Sequence, residues 1–199
     1  MGLSVVTPPT QEPVDIDALK LHLKIDTNVD EGVIATLGLA AREYLEAATR
    51  RTFIYTTLDY TLDAFPCGPI VLPLPPVSSV TSVSYVDTNG DTQVWAAGAT
   101  GYRTSLPQGP HAEPGQIFPA YGIQYPVTRC QKDAVTVRFV AGYGPSRSSV
   151  PAMLIAAHKH LVEHWYVNRG VLDAGINSVT SKIPMGLEAM IGAFKLGWA

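Results

Sequence analysis

The chain has 199 residues, a formal charge of −3, and is 46% apolar but only 16% charged. That length can bury about 70% of the unfolded surface, so neither a metal nor a disulfide is needed to hold a core. No basic block is present, which argues against tight nucleic-acid binding. The two cysteines, Cys67 and Cys130, have no CxxC or Cys-His neighbours and are expected as free thiols. The start lacks a basic-then-apolar leader, and no uncharged apolar run reaches ~18 residues, so no secretory signal or membrane span is expected.

Residues 7–13 are proline-rich and should be extended. A short helix follows, with Asp15 as its cap and Ile16, Leu19 and Leu23 on one face. A longer helix is expected over 28–51. Asn28 and Glu31 have capping-box spacing, and Val33, Ile34, Leu37, Ala41, Tyr44, Leu45 and Ala48 form an apolar stripe. Glu46 and Arg50 are spaced for an i,i+4 pair, and Arg50 and Arg51 read as surface cations.

From Tyr55 the period changes to two. Leu58, Tyr60, Leu62 and Ala64 alternate with Asp59, Thr61 and Asp63, the pattern of a half-buried strand. Ile70 to Leu72 is a short strand bounded by prolines. The segments 80–86 and 92–95 flank Asp87-Thr88-Asn89-Gly90-Asp91, a strong hairpin signal because Asn and Gly tolerate positive φ. Residues 98–129, densest in Pro and Gly over 108–126, read as a long surface loop.

Val135, Val137 and Phe139 mark the last strand, which runs into Gly142-Tyr143-Gly144, a strand-to-helix turn. The helix after Val150-Pro151 should reach about Arg169, capped by Ser149, with Leu154, Ala157, Leu161, Trp165 and Asn168 on one face. Residues 170–182 read as loop, and Pro184 opens a short helix with Leu187, Ile191 and Phe194 on one face. The fold class is α+β: a helical bundle from both chain ends (1–54 and 149–199) with an inserted antiparallel β region (55–148).

Few residues suggest chemistry. His160-Leu161-Val162-Glu163-His164 matches H-x-x-E-H, in which two histidines at i,i+4 could hold zinc with Glu163 as base. A protease would also need a third ligand from a second helix, and Glu188 sits in a weak segment. The glycine-rich turn lacks a Gly-Lys-Ser/Thr ending, and no Gly-x-Ser-x-Gly elbow exists. Asp59 and Asp63 read as solvated rather than paired for catalysis. The C-terminus is unusually apolar: Ile183, Met185, Leu187, Met190, Ile191, Phe194, Leu196 and Trp198 share it with only Glu188 and Lys195. Such a segment must dock, on its own chain or on another.

Several stretches together resemble the tailed-phage head–tail connector proteins of the phiE125 gp8-like group, related to the gp6-like adaptors. They are Val6-Thr7-Pro8-Pro9, Lys20-Leu21-His22-Leu23-Lys24-Ile25-Asp26, Ala40-Ala41-Arg42-Glu43-Tyr44-Leu45 and Leu72-Pro73-Leu74-Pro75-Pro76-Val77. Further on come Val135-Thr136-Val137-Arg138-Phe139-Val140-Ala141-Gly142-Tyr143-Gly144, His164-Trp165-Tyr166-Val167-Asn168-Arg169 and Ile183-Pro184-Met185-Gly186-Leu187. Residues 98–129 carry little of the match.

The resemblance implies a ring, commonly dodecameric, beneath the capsid portal, with the stopper or tail on its far side and double-stranded DNA passing through the channel. It implies no catalysis, no cofactor, and a place in the virion neck of a phage or gene transfer particle assembled in the bacterial cytoplasm. The C-terminal segment reaches toward the portal in such proteins, so Leu187, Ile191, Phe194, Leu196 and Trp198 are the expected portal-binding residues. Tyr44, His160, His164 and Trp165 are the expected subunit contacts. The rival readings are another virion part, such as a tail-completion protein, and a zinc-dependent hydrolase built on His160, Glu163 and His164.

Overall fold

The computed structural model describes residues 1–168 and 184–197. The loop expected over 170–182, and with it Ile183, Arg169 and Trp198, lies outside them. The fold is α+β, with one helical core and one β core.

The helical core packs four helices: α1 (Ile16–Leu23), α2 (Glu31–Thr49), α3 (Ala152–Val167) and α4 (Met185–Phe194). Asp15 caps α1 as expected, its Oδ1 accepting from Ala18 N at 2.7 Å. Helix α2 starts later than its sequence suggests. The Asn28 side chain is taken by Lys20 Nζ, and Asp30 stands at the N-cap without a side-chain cap bond. The buried stripe of α2 is Ile34, Gly38, Ala41, Leu45 and Thr49, so Val33 and Tyr44 turn outward. Glu46 pairs with Arg42 (2.8 Å), and its other oxygen accepts Phe53 N at 2.8 Å. Ser149 does not cap α3; it closes the short 3-10 turn Arg147–Ser149, and Pro151 occupies the N-cap.

Inside this core lies His158, fully buried, with Nε2 donating to the Gly38 carbonyl at 2.9 Å and Nδ1 without a hydrogen-bond partner. Burial holds its pKa down from 6.5 to about 4, with the Arg42 and Lys159 charges adding to the effect and the Gly38 bond opposing it. A Cβ at Gly38 would meet Leu19 Cδ1 at 3.1 Å, tighter than an ordinary contact, so Leu19 would have to give by a few tenths of an ångström.

The β core rests on a five-stranded antiparallel sheet ordered β1 (Gly2–Thr7), β2 (Thr56–Leu62), β8 (Val135–Ala141), β4 (Val77–Val86), β5 (Thr92–Trp95). Strand β8 is central, and its Val135, Val137 and Phe139 are fully buried, as their alternation requires. The hairpin β4–β5 turns at Asp87, whose Oδ1 accepts from Asn89, Gly90 and Asp91 N at 2.9–3.0 Å. These bonds hold the Asp87 carboxyl below its ordinary range. Asp59 is not merely solvated: it takes Arg138 in a two-point pair at 2.8 and 2.7 Å across β2 and β8.

Two further features depart from the sequence reading. Residues 2–7 form edge strand β1, exposed at every position, which the proline-rich stretch after it obscured. The segment read as a loop over 98–129 contains β6 (Tyr102–Ser105) and β7 (Gln116–Pro119), which join β3 (Ile70–Val71) in a second sheet ordered β3-β7-β6. Phe65, Trp95, Tyr102 and Tyr125 pack beside it with ring centroids 4.9–5.3 Å apart.

The cores meet where the segment after α2 runs beside the segment after β8. Tyr143 N donates to Phe53 O and Tyr55 N to Gly144 O, both at 3.0 Å, and Ile54 and Gly144 form a parallel bridge. Gly142 has φ of +128°, and a Cβ there would lie 2.7 Å from the Ile54 backbone carbon. Gly142→Ala should therefore cost about 3 kcal/mol, from backbone strain plus the clash. Gly109→Ala, at φ +112° in open space, should cost less. Urea unfolding of both variants checks the ranking.

His158 gives a second expectation. Below pH 6.5 the unfolded chain takes up a proton that the folded chain refuses until about pH 4. Stability should fall progressively over that window, by on the order of 3 kcal/mol for this group. His158→Gln keeps a donor for Gly38 and should flatten that part of the profile. An unchanged slope would assign the acid sensitivity elsewhere.

Candidate functional site

The apolar C-terminal segment is docked on its own chain. Leu187, Ile191 and Phe194 lie in the helical core, 4%, 9% and 4% exposed. Leu196 is half-buried, and its N–H donates to Thr49 O at 3.1 Å. Trp198 is outside the described residues. Of the five residues expected to reach a partner, the first three are thus already buried within the chain. The sequence could not decide between the two docking modes, because apolarity alone does not name the partner. Facing outward from α4 are Met185 (84% exposed), Gly186, Ala189, Gly192 and Ala193, with Glu188 and Lys195 as the exposed charges of residues 184–197.

Arg51 fixes the end of α4. It is 3% exposed, not a surface cation. Its Nε donates to Phe194 O at 2.8 Å and its Nη1 to Ala112 O at 2.6 Å. A cation at a helix C-terminus also meets the negative end of the helix dipole. The loop before β7 closes over the same place: His111 stacks on Phe194 at 4.7 Å, and Tyr143 Oη donates to Pro110 O at 2.8 Å. Burial pushes the Tyr143 phenol up, while the nearby Arg51 charge acts the other way.

The outward face of α2 carries few charges. Val33 and Leu39 are each 41% exposed, Tyr44 40%, and Val29 just before the helix 90%. Gly32, Ala35, Thr36 and Ala47 lie exposed beside them, with Glu43 the exposed charge on that helix. Tyr44 meets Trp165 edge to face at 5.9 Å, so these two expected contact residues sit together between α2 and α3.

His160 and His164 do not act as a pair. His164 Nδ1 lies 3.3 Å from Asn168 Nδ2. His160 Nδ1 is 3.5 Å from Glu163 Oε2, which is itself 3.1 Å from His22 Nε2 on α1. The carboxylate that a hydrolase would use as base is therefore held by two imidazoles, one of them 141 residues away in sequence. His22 carried no spacing signal that could have found it. His160, Glu163 and His164 also border a cleft of about 420 Å³ between α3 and α4, with Leu187 and Met190 on its other side. Cys67 and Cys130 are unpaired and exposed. Among the described residues, no helix is long and apolar enough to cross a membrane.

A scan against protein-family models finds no match, and a search of curated proteins finds none. Solved structures do share the fold over its full length. One chain belongs to the virion of a native gene transfer agent (GTA) particle, with TM-score 0.77 and 23% identity over 100% of this chain and 97% of that one. A second, from the neck of an empty GTA particle computed with C6 symmetry, has TM-score 0.79 and 24% identity at the same coverage. A third, from the neck of a native GTA particle computed with C12 symmetry, has TM-score 0.75 and 23% identity, again covering 100% and 97%. At these identities the likeness is one of fold.

Arg51→Met keeps the bulk of the side chain but strands two buried carbonyls. It should lower stability by about 3 kcal/mol. Urea unfolding at neutral pH measures this, and a loss under ~1 kcal/mol would mean that water replaces the guanidinium.

Proposed function

We propose that the chain is a structural adaptor of the neck of a phage-like particle. Copies assemble into a ring, with twelve as the expected number, seated beneath the portal and presenting a far face to the stopper or tail. Double-stranded DNA passes through the bore. The chain is a virion component made in the bacterial cytoplasm, and no bond is made or broken by it.

The observation that carries this reading is the end-to-end fold likeness to chains from GTA particles and their necks, 100% of this chain and 97% of those. The surface chemistry agrees with it. A ring contact is heterologous and needs two different patches with few charges at their centres. The outward face of α2, around Val33, Leu39 and the Tyr44–Trp165 pair, has that composition. His160 and His164 lie away from it, on the cleft between α3 and α4. A net charge of −3 suits a bore that must release DNA rather than grip it.

The head-side contact is assigned to the outward face of α4, to Leu196 and to the residues that follow, including Trp198. Leu187, Ile191 and Phe194 support that contact from beneath by holding α4 in place.

Imaging of particles assembled with this protein should show a twelvefold ring between portal and tail. Leu39→Glu with Val33→Glu should leave the stability of the chain within ~1 kcal/mol and abolish the ring. A ring that survives both charges would move the interface elsewhere. Removing residues 196–199 should leave a folded chain that attaches poorly to heads, and normal attachment would overturn the head-side assignment. Removing 185–199 is a different experiment, because it strips three buried side chains and should destabilise the core by on the order of 5 kcal/mol.

A further inference from the structure

Three potential metal-binding side chains converge where α1 crosses α3. His22 Nε2 lies 3.1 Å from Glu163 Oε2, and His160 Nδ1 lies 3.5 Å from the same oxygen. One ligand atom from each of the three residues falls within 4.8 Å of the others. The two imidazoles meet at 78° with centroids 5.6 Å apart, so the rings are edge to face rather than stacked. A tetrahedral zinc site with bonds of ~2.0–2.2 Å has neighbouring ligand atoms ~3.3–3.6 Å apart. The two distances to the carboxylate oxygen, 3.1 and 3.5 Å, already approach that figure, and one nitrogen of each imidazole lies within 4.8 Å of the other.

We propose that His22, His160 and Glu163 form a zinc site that clamps α1 to α3. Two nitrogen donors and one carboxylate oxygen are a donor set that zinc takes readily, whereas calcium and magnesium ask for oxygen throughout. The side chains are 25%, 53% and 47% exposed, so an ion reaches the site from solvent and water completes its coordination. The ion's function is structural. It fastens a helix of eight residues that otherwise docks on the core mainly through Leu19, its one buried side chain, backed by the half-buried Ile16 and Leu23. The set differs from the H-x-x-E-H pattern on α3: His164 is absent from it, Glu163 becomes a ligand, and the decisive residue comes from α1.

The test uses the full chain after chelator treatment, titrated with Zn²⁺ alone and followed by calorimetry and thermal unfolding. One ion should bind per chain and the melting temperature should rise by several degrees. His22→Ala and Glu163→Gln should each weaken binding at least tenfold, and His164→Ala should leave it unchanged. Glu163→Gln, isosteric and partly exposed, keeps the test sound if His22→Ala folds poorly, which circular dichroism without zinc reveals. Absence of zinc binding, equal binding by the His22 variant, or a loss with His164→Ala as large as with His22→Ala would each overturn the proposal. No particle is needed, so the outcome is independent of the neck assignment.

Discussion

Between the helical core and the β core, two chain segments run side by side and lend each other their backbone hydrogen bonds. Residues 53–55 leave α2 for β2, and residues 142–144 leave β8 for α3. Tyr143 bonds Phe53, Tyr55 bonds Gly144, and Gly142 N donates to Pro76 O at 2.8 Å, so three connections share one crossing. Phe53 and Ile54 are buried there, which removes water as an alternative partner for these groups. Because each segment enters one core and leaves for the other, this crossing sets how the helices sit on the sheet. The close approach it needs is possible because residue 142 has no Cβ.

Arg51 extends the same junction toward the chain end. Its two carbonyl partners come from α4 and from the loop before β7, elements far apart in sequence. A buried guanidinium is costly unless it is satisfied, and here it is satisfied only when both elements are in place. The C-terminal helix is thereby tied to the fold of the β region. On the proposed reading, the surface that meets the head is positioned by a residue 143 positions earlier in the chain.

Local signals were legible in the sequence wherever neighbours in the chain make the structure. Asp87 to Asp91 turns because one carboxylate reaches the next amides, and β8 alternates because both its neighbours bury the same face. The Asp15 cap and the apolar face of α4 are local in the same sense. What escaped was long-range. Strand β1 has no buried face to impose alternation, and β6 and β7 are four-residue strands stabilised by pairing rather than by pattern. Arg51 reads as one of two surface cations, and His158 and His22 carry no local signal, because their partners lie 61 to 143 residues away. The family resemblance supplied the assembly reading, and the fold likeness supports it; neither came from a catalytic motif.

Strand β1 has a consequence for handling the free protein. Among the described residues it ends the five-stranded sheet with one side of its backbone unpaired, and Leu3, Val5 and Val6 are 43%, 61% and 42% exposed on it. No lysine, proline or inward charge interrupts Gly2 to Thr7, the devices that usually blunt such an edge. An isolated chain therefore carries a ready template for strand-by-strand accretion.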